Sequence, residues 1–218
     1  MSSNTHIVFY ITLVFLFLKK AMGQGPIDTT LGFVSQPLNP SNIHIQKPYD
    51  IPLSQRYKFD NGVHKLWVLK TDKPHSRTSK TLPRTEIRIR GYDYSSGVWQ
   101  FEAYGYVPRG TSGVSIMQVF GAKRPFSTTT MLRVVKNNLY YYNKHVILPN
   151  IYNKWFRLNV IHDVKGNTVK VYIDGVLKYE GPGRGGTSHY FKCGVYSQSD
   201  GSFHMESLWR DIKIFKQT

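Results

Sequence analysis

Residues 84–90 (RTEIRIR) carry the side chains whose types and spacing point most directly to chemistry. Read as a β-strand, the segment directs Thr85, Ile87 and Ile89 to one face, and a charged row to the other: Arg84, Glu86, Arg88 and Arg90. Neighbours within such a row stand about 7 Å apart. Because guanidinium groups bind carboxylates or phosphates through paired hydrogen bonds, the row predicts an anion site. An ordinary strand with a solvated charged face stays the alternative.

Two later segments have polar faces that could complete such a site. Residues 190–198 alternate between a polar set and a core set, the polar set being Tyr190, Lys192, Tyr196 and Gln198, with Gly194 leaving room in the row. In residues 115–120, Gln118 shares a face with Ile116 and Phe120, while Met117 and Val119 take the core side. If these strands are neighbours in a concave sheet, their polar faces form one cationic groove lined by tyrosines.

A further segment, residues 98–107, is assigned to the same groove. Its polar face carries Gln100, Glu102, Tyr104 and Tyr106, opposite an apolar face that begins with Trp99 and Phe101. No single face is specific, and it is their coincidence that favours a common site.

The elements that must position these residues read as short β-strands separated by turns. Eleven are predicted: 63–69, 86–90, 98–107, 115–120, 130–135, 139–142, 156–162, 169–173, 176–179, 189–198 and 207–215. Asp174-Gly175 is a strong hairpin signal and Asn137-Asn138 a weaker one. So many strands without sustained helical periodicity predict an all-β fold, a two-sheet β-sandwich of jelly-roll type.

The first residues resemble a targeting segment. An apolar run from Ile7 to Leu18 is short for a membrane span and suits a signal peptide, and Ala21-Met22-Gly23 resembles a cleavage site. We therefore predict a signal peptide at 1–23, a single domain at 24–218 and an extended lead-in at 24–50. Because Lys19-Lys20 follow the apolar run and no basic residue precedes it, a signal anchor stays open.

Charge and cysteine content narrow the class of protein. The formal net charge is +16, which predicts affinity for anions, and secretory entry argues against nucleic acid as the partner. A single cysteine, Cys193, cannot close an internal disulfide, so stability must come from a core. No metal-ligand spacing or cofactor motif is present in the sequence, and we expect a monomer without a cofactor or metal.

Several long segments resemble a known family. RTEIR at 84–88, QVF at 118–120 and YFKCGVYSQ at 190–198 resemble the three signature strands of the alginate lyases of jelly-roll fold. The segments 92–108 (YDYSSGVWQFEAYGYVP), 110–121 (GTSGVSIMQVFG) and 153–164 (NKWFRLNVIHDV) resemble the plant citrate-binding proteins, a vacuole-associated branch of that fold. The resemblance covers nearly the whole chain after the predicted signal peptide.

The resemblance implies roles for individual residues. As in the lyases, Arg84 and Gln118 would neutralise a uronate carboxylate, Tyr196 would transfer the proton, and Arg88, Tyr190 and Lys192 would line the subsites. β-Elimination needs such a masked carboxylate together with a base and an acid. The chain departs from the lyases at Phe120, where they usually carry a histidine. Phenylalanine neither neutralises a carboxylate nor accepts a proton, which favours binding over catalysis.

Three functions are consistent with these residues. The first, implied by the plant branch, is binding of citrate or another small polycarboxylate, with Arg84 and Arg88 as principal partners and the remaining binding residues around them: Glu86, Gln118, Tyr190, Lys192, Tyr196 and Gln198. The second is a lyase acting on a uronate-containing polysaccharide. The third is non-selective binding of acidic cell-wall polysaccharide. The resemblance favours the vacuole, with the apoplast as the alternative.

Overall fold

The structure is a computed structural model and describes residues 25–218. The predicted signal peptide at 1–23 lies outside the described residues. Apart from two short 3-10 helices, Pro40–Asn42 and Leu53–Gln55, the regular structure of residues 25–218 is β-strand. No helix in this part of the chain has the length and apolar character needed to cross a membrane.

The strands are numbered here in chain order. They are β1 (Phe33–Gln36), β2 (Ile43–Gln46), β3 (Tyr57–Asp60), β4 (Val63–Leu69), β5 (Arg84–Ile89), β6 (Val98–Tyr106), β7 (Val114–Phe120), β8 (Thr128–Val135), β9 (Asn138–Tyr141), β10 (His145–Pro149), β11 (Trp155–Asp163), β12 (Thr168–Ile173), β13 (Val176–Pro182), β14 (Tyr190–Ser197) and β15 (His204–Gln217).

Two antiparallel sheets contain all of these strands. The eight-stranded sheet has the order β13-β12-β11-β6-β15-β4-β3, with β1 also paired to the long strand β15. The seven-stranded sheet has the order β10-β9-β8-β7-β14-β5-β2. Consecutive strands such as β5, β6 and β7 alternate between the sheets, so the chain crosses the sandwich repeatedly. The predicted all-β jelly-roll sandwich is confirmed.

The hydrophobic core lies between the two sheets and follows from the alternation of apolar residues. Phe101 of β6, Met117 of β7 and Phe191 of β14 are fully or almost fully buried in one contiguous cluster. β14 packs across this core against β4 and β15. Burial of one face of each strand fixes the opposite face in space, and this anchors the polar side chains of β5, β7 and β14.

All eleven predicted strands are present, with ends that differ by a few residues. The lead-in at 24–50 is more than an extended segment, because it contains β1, paired with β15, and β2, paired with β5. These strands were missed because each has only four residues, too few to establish an alternating pattern.

The two hairpin signals had different outcomes. Asp174 and Gly175 both have positive φ, 51° and 80°, and join β12 to β13 as predicted. The weaker signal was displaced by one residue, because Lys136 and Asn137 occupy the turn with φ of 46° and 68°. Asn138 is instead the first residue of β9, paired with Val135.

Candidate functional site

Three polar strands lie side by side in the seven-stranded sheet, with β14 between β5 and β7. Lys192 of β14 is paired with Arg88 on one side and Gln118 on the other, and Tyr196 is paired with Arg84. Directly paired residues share a face of a sheet. The residues predicted from three distant segments therefore converge on one surface, which Ser115, not predicted, also joins opposite Tyr196. This surface is called here the polar face and comprises Arg84, Glu86, Arg88, Ser115, Gln118, Phe120, Tyr190, Lys192 and Tyr196.

The polar residues of β6 are not part of this surface. β6 pairs with β11 and β15 in the eight-stranded sheet, so the prediction that Gln100, Glu102, Tyr104 and Tyr106 line the same groove is wrong. An alternating pattern reports that one face of a strand is polar, but does not report which sheet contains the strand.

Glu86 lies at the centre of the polar face and is fully buried. Its Oε2 accepts from the Lys192 ammonium and from Arg84 Nη1, the latter at 3.3 Å, while its Oε1 accepts from the Gln118 amide. Two cations and one amide therefore share a single carboxylate. This arrangement holds the three donors in fixed positions at the floor of the site.

The prediction that Glu86 binds the ligand does not agree with this geometry. Its carboxylate is already engaged by three internal donors and carries the same sign of charge as a polycarboxylate. Glu86 instead positions Arg84 and Lys192 and compensates part of their charge. The site is consequently less positive than the sequence suggested.

Lys192 is the most enclosed cation of the polar face, with 1% of its surface exposed. Burial lowers the pKa of its ammonium, and the neighbouring Glu86 carboxylate opposes that change. Removal of Glu86 would leave this charge without compensation in a poorly solvated position.

Arg84 and Tyr196 are paired neighbours at one end of the polar face. The Arg84 guanidinium lies over the Tyr196 ring, 3.9 Å from its centroid, and its Nη2 donates to Thr81 Oγ1 at 2.9 Å. No hydrogen bond to the Tyr196 hydroxyl is found within residues 25–218. A cation and a free hydroxyl thus stand next to each other at the surface of the cluster.

At the other end of the polar face, three side chains stack. The Phe120 and Tyr190 rings are stacked with centroids 4.8 Å apart, and the Arg88 guanidinium lies 4.0 Å from the Tyr190 centroid. Arg88 also forms an ion pair with Asp93 at 2.5 Å. Burial raises the pKa of Tyr190, which keeps its phenol protonated. Phe120 therefore contributes an apolar wall, and Arg88 is partly neutralised.

Two smaller expectations also need correction. Gln198 follows the last residue of β14, and its side-chain amide donates to the Tyr196 and Ser197 carbonyls rather than joining the row of donors. Ile116 does not share the face of Gln118, because it lies at a β-bulge of β7 and belongs to the buried core.

Gly194 leaves room in the polar row, as the absence of a side chain predicted. It lies opposite Glu86 at φ 136°, and a Cβ there would stand 2.5 Å from the Thr85 carbonyl oxygen. Only glycine lets β14 approach β5 this closely, next to the buried carboxylate.

Arg133 was not identified from the sequence. It is paired through Ser115 with the same row as Tyr196, and it binds Asp200 at 2.7 Å and Asn143. The sequence contains a signal for this position, because residues two apart in a strand share a face and Arg133 follows Met131 by two residues in the predicted strand 130–135. Met131 is paired with Gln118 of the polar face.

Contacts from loops were also missed, and here no sequence signal was available. Thr81 and Asp93 contact Arg84 and Arg88 from the segments flanking β5. His75 lies in the loop before β5; burial lowers its pKa, as do the nearby charges of Arg84 and Lys192. These residues lie in loops, and only the conformation of those loops in the folded protein places them next to the site.

Within residues 25–218, no group of three or more His, Cys, Asp and Glu side chains is arranged to hold a metal ion. Cys193 is fully buried on the core side of β14, and burial raises the pKa of its thiol well above the usual value. A buried, protonated thiol is a poor nucleophile, so Cys193 acts as a core residue.

A jelly-roll sandwich with arginine, glutamine, lysine and tyrosine on three adjacent strands defines a class of protein, and comparison with known families identifies it. Residues 37–216 match the family described as alginate lyase, and the chain belongs to that family. It is 52% identical over 190 residues to the citrate-binding protein of Hevea brasiliensis. The aligned region covers 87% of this chain and 79% of that relative.

Solved structures agree on the fold. The polysaccharide lyase family 7 alginate lyase AlgAT5 superimposes with a TM-score of 0.63 at 17% identity, covering 82% of this chain and 98% of that one. The alginate lyase from Corynebacterium sp. gives a TM-score of 0.61 at 16% identity, covering 84% and 92% of the two chains. Identities this low define the architecture alone.

Proposed function

We propose that this protein binds citrate on the polar face, as a binding member of the alginate lyase family. The observation that carries the proposal is the convergence of Arg84, Lys192 and Gln118 on Glu86, next to the free hydroxyl of Tyr196. The relative at 52% identity is a citrate-binding protein, which supports the choice of ligand.

The donors suit a small polycarboxylate. Two of the five guanidinium N–H groups of Arg84 are engaged, by Glu86 and Thr81, and its Nε–H is buried, so one N–H on each terminal nitrogen remains for an incoming carboxylate. The Tyr196 hydroxyl is a second donor beside it. Lys192, beneath the surface, contributes through its charge. Around Glu86 and Asp93, three cations face two carboxylates, which leaves a local excess of positive charge for an anion.

Position 120 supports binding over turnover. The Phe120 ring fills the end of the row by stacking on Tyr190 and offers neither a base nor a cation. General acid–base groups typically contribute about a hundred- to ten-thousandfold to a rate. A chain that lacks one of them retains a binding surface while losing much of the catalytic power.

Calorimetry with citrate tests the proposal. Arg84→Gln should weaken binding by about ten- to a hundredfold, because it removes a charged donor. Arg90→Gln is the matched control, since Arg90 follows the same strand but is exposed and outside the cluster; its effect should stay below about threefold. Equal losses in both variants, or no citrate binding by the wild type, would contradict the proposal.

A second candidate is a lyase that acts on a uronate-containing polysaccharide, favoured by the contact between Arg84 and Tyr196. The protein would be incubated with a panel of polyuronates while the ultraviolet absorbance of unsaturated uronates is followed. Sustained activity that Tyr196→Phe abolishes would establish the lyase and overturn the binding-only proposal, because proton transfer requires that hydroxyl. Binding of all polyanions alike, removed by salt, would instead indicate a non-selective wall-polysaccharide binder.

We also propose that the protein enters the secretory pathway, resides in the vacuole, and acts there as a monomeric carrier, store or accessory partner of citrate transport. The signal-peptide pattern of residues 1–23 supports secretory entry. A fluorescent fusion in plant cells tests the compartment: fluorescence in the apoplast or cytosol would exclude the vacuole. Light scattering after size exclusion tests the monomer.

A further inference from the structure

An apolar pocket lies at the edge of the sandwich next to β5, on the core side of β2 and not on the polar face. It has a volume of about 480 Å³ and opens where β2 and β3, each the last strand of its sheet, face one another. Its walls include Ile43 and Ile45 of β2, together with Tyr57 and Phe59 of β3. None of the polar-face residues contributes to it.

The size and lining of this pocket match those of small-molecule sites. Such sites typically enclose about 300–1,000 Å³, with mainly hydrophobic walls and a few polar groups. Ile43, Ile45 and Tyr57 are half-buried against the core and form a fixed floor. At the mouth, Phe59 is 57% exposed and Leu53 42% exposed. Large apolar side chains left in water at the rim of a preformed hollow indicate a surface that is covered by a partner.

His64 supplies the polar group of the pocket. Its Nδ1 lies 2.9 Å from the Tyr57 hydroxyl, and its ring lies 4.5 Å from that of Phe59. Burial lowers the pKa of His64 to about 4, and burial raises that of Tyr57. Both are neutral at physiological pH, so one of the two groups donates to the other, and Nε2 is the second ring nitrogen able to form a hydrogen bond.

We infer that this pocket binds a neutral, mainly hydrocarbon small molecule that carries one polar group able to form a hydrogen bond with His64. No side chain lining the described pocket is charged at neutral pH, so an anion such as citrate would have no counter-charge there. Covering the aromatic and aliphatic walls removes apolar area from water, which favours binding, and a hydrogen bond to the His64 ring orients the ligand's single polar group. This ligand is chemically distinct from the one proposed for the polar face, and the inference does not rest on that proposal.

The neutral fluorescent probe N-phenyl-1-naphthylamine tests the inference. Titrated into the full chain, it should show saturable fluorescence enhancement that excess citrate leaves unchanged. Phe59→Ser should weaken probe binding by about tenfold or more, as expected when apolar contact is removed from a hydrophobic pocket. Phe203→Ser is the matched control, because Phe203 is 64% exposed and does not line the pocket. It should leave the probe affinity unchanged.

Three results would overturn the inference. The first is equal probe binding by the Phe59→Ser and Phe203→Ser variants, which would locate the probe elsewhere. The second is absence of saturable binding, as expected if residues 1–24 or another part of the chain occupies the pocket. The third is a dimer in size exclusion that Phe59→Ser converts to a monomer, which would show that a second copy covers this face.

Discussion

Each sheet of this molecule carries a carboxylate bound by a lysine and an amide. On the seven-stranded sheet, Glu86 accepts from Lys192 and Gln118. On the eight-stranded sheet, Glu102 accepts from Asn159 at 2.8 Å and from Lys213 at 3.4 Å. The residue types are alike, and the sequence patterns of β5 and β6 placed both carboxylates in one groove.

The likeness extends to the neighbouring arginines. Arg84 lies 3.9 Å from the centroid of the Tyr196 ring, and Arg210 lies 4.5 Å from that of Tyr104. Burial separates the two clusters: the Lys192 side chain is 1% exposed, while that of Lys213 is 53% exposed. An ion pair in solvent contributes little, whereas an enclosed one depends on each of its partners. Residue type alone therefore does not distinguish a fully enclosed cluster from an ion pair whose lysine is solvated.

The largest expected difference concerns the carboxylates themselves. Glu86→Gln leaves Lys192 and Arg84 enclosed without a counter-charge and should lower the free energy of unfolding by about 3 to 5 kcal/mol. Glu102→Gln should lower it by about 0 to 1 kcal/mol, because Lys213 remains solvated. Urea denaturation of both variants measures the two values. Similar losses would show that burial does not separate the clusters.

Acid should destabilise the core that joins the two sheets. Burial lowers the pKa of His162 to about 4, from about 6.5 in the unfolded chain. The unfolded state therefore binds the proton first, and stability present above pH 6.5 is lost as the pH falls towards 4.

Between pH 7 and pH 5 the loss from His162 should be on the order of 2 kcal/mol. Denaturation at both pH values measures it, and His162→Gln, which does not titrate, should reduce the difference. An unchanged pH dependence in that variant would rule out His162 as the source.

The two tyrosines should differ in their effect on citrate. Tyr196→Phe removes a hydroxyl beside Arg84 and should weaken citrate binding by about two- to tenfold, the usual worth of one hydrogen bond. Tyr104→Phe makes the same change under Arg210 and should have no effect. Calorimetry distinguishes these outcomes, and equal affinities of all three proteins would remove Tyr196 from the proposed site.

The smallest expected difference is in the chemical reactivity of the two lysines, Lys192 and Lys213, and it is measured without a free energy. An amine-acylating reagent at neutral pH should modify Lys213 readily and spare Lys192, because only the former is accessible in the folded protein. Mass spectrometry of the digested protein gives the extent at each site. In urea both lysines should react, and rapid labelling of Lys192 in the folded state would contradict its enclosure.

Much of the fold could be predicted because alternation is a local property. The runs that form β4, β11 and β12 each contain enough apolar residues at period two to define a buried face. The turn at Asp174-Gly175 is likewise encoded by two adjacent residues. β2 and β3, with four residues each, carry too few alternations to be recognised, and they are the strands that line the apolar pocket.

The candidate site was predicted in its principal members and not in its electrostatics. Arg84, Gln118, Lys192 and Tyr196 were correctly grouped, since their strands are adjacent. That Glu86 would be enclosed and would engage three of these donors was not foreseen. The pattern of a strand specifies which side chains share a face, whereas burial depends on what packs over that face.

By itself, the sequence determined the β-sandwich class, the basic character of the chain and the set of side chains able to meet an anion, because these follow from composition and short-range periodicity. The tertiary structure alone decided that β6 belongs to the opposite sheet, that Glu86 partly neutralises the cations, and that the edges of the two sheets enclose an apolar pocket. The physical reason is that sheet membership and burial arise from contacts between segments far apart in the chain, which no local pattern encodes.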